Sequence, residues 1–235
     1  MTFRIIKNTT LAVVSLLSVA ACTSLPKNKV QEQEEYTITG KIDGNADGMK
    51  VYLQTTEWPV AKTVDSTVIK KGEFKFKGSV AVPAKHSIII DATPKDKKSS
   101  ERYWLRSTFY LENSPIEYIG HVDSLPSYYY NRKRVTAGPV IKGSATEDES
   151  KAFSASLGDV RKQLAATNEE YLAVYHVPAM EGKFNTAEGI ALVRKEQQLK
   201  EELEKRKWQY IKDNPKSVVA YDQAMYYLHD MFVNL

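Results

Sequence analysis

Cysteine is the scarcest residue in this chain. One is present, Cys22, among 235 residues. A lone thiol excludes an intrachain disulfide, a redox-active pair and a cysteine-built metal site. No Gly-x-Ser-x-Gly elbow marks a nucleophile, and no glycine-rich loop is shaped for phosphate; Gly72 and Gly78 flank a hairpin strand, where turn duty explains them. The histidines, His86, His121, His176 and His229, show no His-Glu-x-x-His spacing. His121 and Asp123 share one strand face, but no metal site is expected. No pair of carboxylates stands out as buried, so a two-carboxylate hydrolase has no support. A strong charge excess is missing as well. The formal net charge is +4, and it falls to +2 without the leader cations Arg4 and Lys7. Dedicated nucleic-acid binders carry a larger basic excess, so no nucleic-acid partner is expected. With no catalytic constellation in view, neither enzyme activity nor a cofactor is expected.

Long apolar runs are also missing. Leu11 to Ala20 is apolar except for Ser15 and Ser18. It is half the length of a membrane span, which needs about twenty residues. Behind the short positive head of Arg4 and Lys7, it fits the hydrophobic region of an export signal. Val19-Ala20-Ala21-Cys22 then looks like the bacterial lipoprotein signal, in which the Cys thiol is acylated, palmitate-style, and becomes the new N-terminus. The alternative is an ordinary signal peptide followed by a chance Cys. On the lipoprotein reading residues 1–21 are removed and Cys22 is the lipidation site. The chain then sits on a membrane of the bacterial cell envelope through its lipid, facing the periplasm. Residues 22–35 are polar, with Pro26 and a run of Lys, Gln and Glu, and read as a flexible tether.

From Tyr36 the hydrophobic period is two. Tyr36 and Ile38 alternate with Thr37 and Thr39, and Asp47-Gly48 closes a turn. Val51 and Leu53 face one way and Tyr52 the other. Val60 to Ile69 reads as a strand, and Lys70-Lys71-Gly72 turns the chain. Phe74 and Phe76 alternate with Glu73, Lys75 and Lys77, a half-buried strand with a charged outer face. Ser87 to Ile90 has the run of a buried strand. In Trp104 to Leu111, Phe109 and Leu111 lie opposite Tyr110. Ile116, Tyr118 and His121 share another strand, and Pro139 to Ile141 makes a short last one. Short strands at intervals of roughly ten residues indicate an antiparallel β-sandwich or barrel over residues 36–143.

At Gly143 the period becomes helical. Ser144 and Glu147 have the spacing of a capping box, in which the Ser oxygen and the Glu carboxylate satisfy free backbone N–H groups. Phe153, Leu157, Val160 and Leu164 then form one stripe, which continues through Tyr171 and fades before Pro178. A second helix starts at an Asn185/Glu188 cap and runs to Asn214-Pro215. Leu192, Leu199, Leu203 and Tyr210 lie on one face, and Glu196–Lys200, Glu201–Lys205 and Glu202–Arg206 are acid-first pairs four apart. Pro215 suits the first turn of a third helix, whose stripe is Val218, Met225, Leu228 and Phe232. Residues 144–235 are thus a helical segment. Its leucine spacing also fits pairing with a second chain, so a homo-oligomer through the helices is one expectation.

The most unusual run is Tyr128-Tyr129-Tyr130 followed by Arg132-Lys133-Arg134. Aromatic faces beside basic heads can stack on sugar rings or bases, or hold anionic lipid. The plainer reading is a strand with tyrosines on both faces and a solvated basic turn. Tyr128, Tyr129, Tyr130, Arg132 and Arg134 are the candidate binding residues.

The order of these pieces is itself informative. Tyr36-Thr-Ile-Thr-Gly-Lys-Ile42 is followed by Val51-Tyr-Leu53, Asp65-Ser-Thr67, Gly72-Glu-Phe-Lys-Phe-Lys-Gly78, Phe109-Tyr-Leu-Glu112 and Ile141-Lys-Gly-Ser144. It resembles the N-terminal β-rich domain, domain of unknown function 4369, of Bacteroidetes thioredoxin-like envelope lipoproteins, from Tyr36 to about Phe232. In many members a thioredoxin-like thiol-disulfide domain follows. This sequence has no Cys-x-x-Cys, and a thiolate is the nucleophile in that chemistry. The resemblance therefore carries over no redox residue, only the lipidated Cys22. The expected protein is an α+β envelope lipoprotein: a tether, an antiparallel β-sandwich and a C-terminal segment of three helices. It is expected to act as a non-catalytic binding module for an envelope protein, peptide or glycan. The alternative is the N-terminal portion of a truncated or split thiol-disulfide oxidoreductase.

Overall fold

The computed structural model describes residues 35–56, 60–97, 102–128 and 136–233, with side chains to residue 228. The export signal, Cys22, the tether up to residue 34, Tyr129, Tyr130, Arg132 and Arg134 lie outside the described residues.

Eight strands build two four-stranded sheets. They are β1 (Tyr36–Asp43), β2 (Lys50–Thr55), β3 (Thr63–Val68), β4 (Glu73–Gly78), β5 (Ala84–Asp91), β6 (Trp104–Leu111), β7 (Pro115–His121) and β8 (Val140–Lys142). The first sheet has the order β4-β1-β7-β8 and the second β3-β2-β5-β6. Alternation decides which side chains enter the space between the sheets. Ile38 and Ile42 of β1, Val51 and Leu53 of β2, and Phe74 and Phe76 of β4 are all buried, while Lys75 and Lys77 are exposed. Ile88 and Ile90 come from β5, Leu105, Phe109 and Leu111 from β6, and Ile116 and Tyr118 from β7. The Phe74 ring occupies the place where a side chain on Gly40 would stand: a Cβ there would lie 2.0 Å from it. This is the close approach that a missing Cβ allows.

The sandwich is antiparallel with one exception: β1 and β7 run parallel, with Ile38 opposite Ile116 and Gly40 opposite Tyr118. A side-chain period of two reports which face is buried and carries no strand direction, so the sequence pattern is blind to this pairing. The strand expected from Val60 to Ile69 is shorter. Val60 is exposed, and Ile69 is buried where the chain already turns into the β3–β4 hairpin. Asp47 holds that hairpin, accepting from the backbone N–H groups of Lys71 at 3.0 Å and Gly72 at 2.7 Å.

Gly143 joins β8 to the first helix at φ +86°, and a Cβ there would meet the Pro115 carbonyl oxygen at 2.0 Å. Only glycine fits this corner. The helices are α1 (Ala145–Ser156), α2 (Gly158–Tyr171), α3 (Val177–Met180), α4 (Thr186–Asp213) and α5 (Val218–Val233), with a π-helical turn, Leu172–His176, before α3. Where three helices were expected, the first is therefore divided. It breaks at Leu157, and Tyr171 leads into the π turn. α2 and α4 lie side by side and antiparallel: the Arg206 guanidinium reaches Asp159 at 2.8 Å at one end, and Lys195 reaches Glu170 at 3.8 Å further along. Glu196–Lys200 and Glu202–Arg206 pair as expected, at 2.6 and 2.9 Å, whereas Glu201 accepts a hydrogen bond from Gln197.

Two local expectations need correction. Ser144 does cap α1, its Oγ accepting from the Glu147 N–H at 3.0 Å. The capping box is not closed by Glu147, however. Its carboxylate accepts the backbone N–H of Tyr110 at 3.0 Å, and Glu112 at the end of β6 binds the N–H of Ala145 and the Thr146 hydroxyl instead. The strand end and the helix start thus cap each other, because both expose unpaired backbone groups. In α5, Ser217 is the cap, its Oγ accepting from the Ala220 N–H at 3.0 Å, and Pro215 stays in the preceding turn. The buried residues are then Val219 and Ala220, while Met225 and Leu228 of the expected stripe are 44% and 46% exposed. No described helix is long and apolar enough to cross a membrane.

Candidate functional site

The outer face of the second sheet has two parts. At one end it is covered: Tyr110, pointing away from the sandwich core, is buried against Phe153, Leu157 and Val219 of the helical segment. The rest carries an aromatic row. The register places Tyr52 of β2, Ile89 of β5 and Arg106 of β6 side by side, with Lys50, Asp91 and Trp104 in the next row. The Tyr52 and Trp104 ring centres are 6.3 Å apart. Tyr128 continues the row, its ring edge-on to Trp104 at 6.1 Å. It is held there by the backbone, with the Tyr128 N–H donating to the Trp104 carbonyl at 2.8 Å and the Arg106 N–H to the Pro126 carbonyl at 3.0 Å.

Two guanidinium groups lie on these rings. The Arg102 carbon stands 4.8 Å from the Trp104 ring centre, and that of Arg106 5.4 Å from Tyr128. Both are within cation–π range. Arg106 is also fixed through its Nε, which donates to Ser87 Oγ at 3.1 Å, and Ser87 shares a hydrogen bond with Thr108. Among the described residues no carboxylate forms an ion pair with Arg102 or Arg106. Among the described residues the face is therefore cationic and aromatic, with Arg102 and Tyr128 exposed and Tyr52, Trp104 and Arg106 half-buried.

Of the binding residues expected from sequence, Tyr128 is on this face and 40% exposed. Tyr129, Tyr130, Arg132 and Arg134 lie outside the described residues. Tyr52, Trp104, Arg102 and Arg106 were not singled out by sequence reasoning. The signal was present in part, since Tyr52 alternates against Val51 and Leu53. The register that sets it beside Trp104 across β5 is not written in any one segment.

A second constellation lies where the helices meet the sheet. The Tyr110 hydroxyl donates to Asp222 at 2.8 Å, and Lys85 pairs with the same carboxylate at 3.2 Å. Burial, then the bonded Asp222 carboxylate, pushes the Tyr110 hydroxyl far above its ordinary range. Beside it runs a cleft of about 700 Å³ between Val80–His86 and Pro215–Val218. This group ties α5 to β5 and β6. His121 and Asp123 stand 3.8 Å apart at the end of β7. Among the described residues no cluster of three or more His, Cys, Asp or Glu is arranged to hold a metal.

Residues 36–150 match the family described as Domain of unknown function (DUF4369). The DUF4369 domain spans all eight strands and ends inside α1. Tyr52, Trp104, Tyr128 and both stacked arginines fall within it, whereas Asp222 and the helical wall of the cleft lie beyond it. No curated protein matches the chain.

Proposed function

We propose that the protein is a non-catalytic binding module of the bacterial envelope, acylated at Cys22, and that its DUF4369 domain meets its ligand on the outer face of the second sheet. The observation that carries this reading is the row Tyr52–Trp104–Tyr128 with Arg102 and Arg106 stacked on it and no carboxylate paired to either cation among the described residues. An exposed aromatic patch on a folded domain marks a contact surface, and the cations beside it add charge for a ligand to meet. Trp104→Ala tests it. The variant should keep the far-ultraviolet spectrum of the parent and lose retention on immobilised envelope extract. A variant retained like the parent would remove this face from the binding reading.

The anchor has its own test. Cys22→Ser should leave the fold unchanged and move the protein from the membrane to the soluble fraction. Unaltered fractionation with membranes would sink the lipoprotein assignment.

One observation favours the second reading, the N-terminal portion of a thiol-disulfide oxidoreductase. Tyr221, Met225 and Leu228 of α5 are exposed, and a following domain would cover them. Reading the DNA past the codon for Leu235 decides it: a thioredoxin-like frame with Cys-x-x-Cys supports this reading, and unrelated sequence removes it.

A further inference from the structure

The rings of the second sheet are half-buried to exposed on the pleat, and Trp104 stands beside Lys50 and Asp91 at the rim of a cleft. Three clefts among the described residues are lined by Val80–His86 with Pro215–Val218, by the Asn45–Lys50 turn with Asp91–Lys95, and by Val80–Pro83 with Glu112–Ser114. None includes Tyr52, Trp104, Arg106 or Tyr128. Small molecules are held by enclosure, and none of these three clefts encloses the rings. A polymer can instead collect many modest contacts along an open row. With centres 6.3 and 6.1 Å apart, the three rings form such a row.

The chemistry of the row narrows the polymer. Aromatic faces are electron-rich and attract the slightly positive C–H groups of a sugar ring, which are also apolar enough to desolvate. Hydroxyl and amide groups on the same face suit sugar hydroxyls: Thr108 is exposed, and Gln54 and Ser66 are partly or fully exposed. The guanidiniums suit carboxylates, which they bind with two parallel N–H donors. Arg106 spends its Nε on Ser87. Its terminal nitrogens have no carboxylate partner among the described residues.

Other polymers fit less well. A peptide brings a backbone N–H and C=O with every residue, which seek a strand edge, whereas β2 and β5 are paired on both sides and the β6 edge at Trp104 and Arg106 is already bonded to Tyr128 and Pro126. A nucleic acid carries a phosphate at every nucleotide and is met by a dense cationic track. This chain has a formal charge of +4.

We infer that the aromatic face binds an acidic polysaccharide, with sugar rings lying on Tyr52, Trp104 and Tyr128 and carboxylates on Arg102 and Arg106. This rests on the binding reading of the same face given above.

Calorimetric titration of the purified full-length chain in detergent tests it. The probes are polygalacturonate, its fully methyl-esterified form, polyglutamate and an oligodeoxythymidine. Polygalacturonate should bind most tightly and weaken as salt is raised. Esterification should lower its affinity about tenfold, as should Trp104→Ala, in line with the loss of one charge-assisted pair or one stacking ring. Arg102→Gln with Arg106→Gln, which leaves every ring in place, should abolish the preference for acid over ester. Equal binding of acid and ester, both lost in Trp104→Ala, overturns the acidic class and leaves the face. Tighter binding of polyglutamate or of the oligonucleotide overturns the polysaccharide. No measurable polygalacturonate binding overturns the inference, and retention of Trp104→Ala on envelope extract then decides the face separately. Polygalacturonate binding that survives both sets of substitutions overturns inference and face together.

Discussion

The two halves of the chain are held together by different means. In the sandwich, the described residues include nineteen buried apolar side chains in one continuous cluster, from Tyr36 to Ile141. In the helical half the corresponding cluster is Tyr110, Phe153, Leu157 and Val219, and one of these four belongs to the sheet. What the helices lack in core they replace with carboxylates. Glu112 and Glu147 tie the start of α1 to β6, and Asp222 ties α5 to Tyr110 and Lys85. Glu149 accepts hydrogen bonds from Tyr210 at 2.5 Å and Ser217 at 2.6 Å, joining α1 to the end of α4 and the start of α5. Apolar burial is non-directional and insensitive to pH, whereas these links depend on geometry and protonation. The helical half is therefore the part that conditions should loosen first.

The sharpest way to break this comparison is to strike both cores. Phe76 is 2% exposed between the sheets, and Phe76→Ala should cost about 3–5 kcal/mol and unfold the whole chain in one step on urea titration. Leu157 is fully buried beneath the helices. Leu157→Ala should cost about 2–3 kcal/mol and appear first as lost helical circular dichroism, with the sheet signal retained. Identical single transitions for both variants would show that the halves are one cooperative unit. Glu112→Gln removes a charged acceptor from the α1 N-terminus. It should lower stability by about 1–2 kcal/mol, again with helix signal leading. An unchanged urea midpoint would mean that the strand-to-helix cap is idle.

The smallest effect per step comes from alkali. Burial pushes the Tyr118 hydroxyl up to about 12, with the Ser107 hydrogen bond acting slightly against it. Burial, and then the bonded Glu149 carboxylate, pushes Tyr210 up to about 12 as well. An unfolded tyrosine gives up its proton near 10. Between those values the folded chain holds protons that the unfolded chain releases, so stability falls as pH rises. It should be flat below about pH 10 and decline by about 1.4 kcal/mol per pH unit for the fully buried Tyr118. Tyr210 is partly exposed and contributes less. With Tyr110 and Tyr210 both in the helical contacts, helix signal should fade before sheet signal in an alkaline titration.

Much of the sandwich was legible in the residues. The alternation of Phe74 and Phe76 with lysines, and of Tyr110 against Phe109 and Leu111, gave strands and faces correctly, because burial on one side of a pleat has a period of two. The change of period at Gly143 marked the passage from strand to helix. Strand direction was not legible, and β1–β7 is parallel. The break at Leu157 was hidden because Phe153, Leu157 and Val160 stay on one stripe through it. In α5 the apolar residues are more numerous than the surface that covers them, so Met225 and Leu228 read as core and lie exposed. The candidate face was legible through Tyr128 and, in part, through Tyr52, which alternates against Val51 and Leu53. Tyr52 and Trp104 come from strands that are far apart in sequence and meet by register.

The binding face is tested most directly by following the protein's amide and indole NMR signals during titration with polygalacturonate. Shifts should concentrate on Tyr52, Ile89, Trp104, Arg106 and Tyr128, with the Trp104 indole moving most and the α2–α4 pair unmoved. Shifts centred on Val80–Pro83 and Pro215–Val218, with the Trp104 indole unmoved, would contradict it.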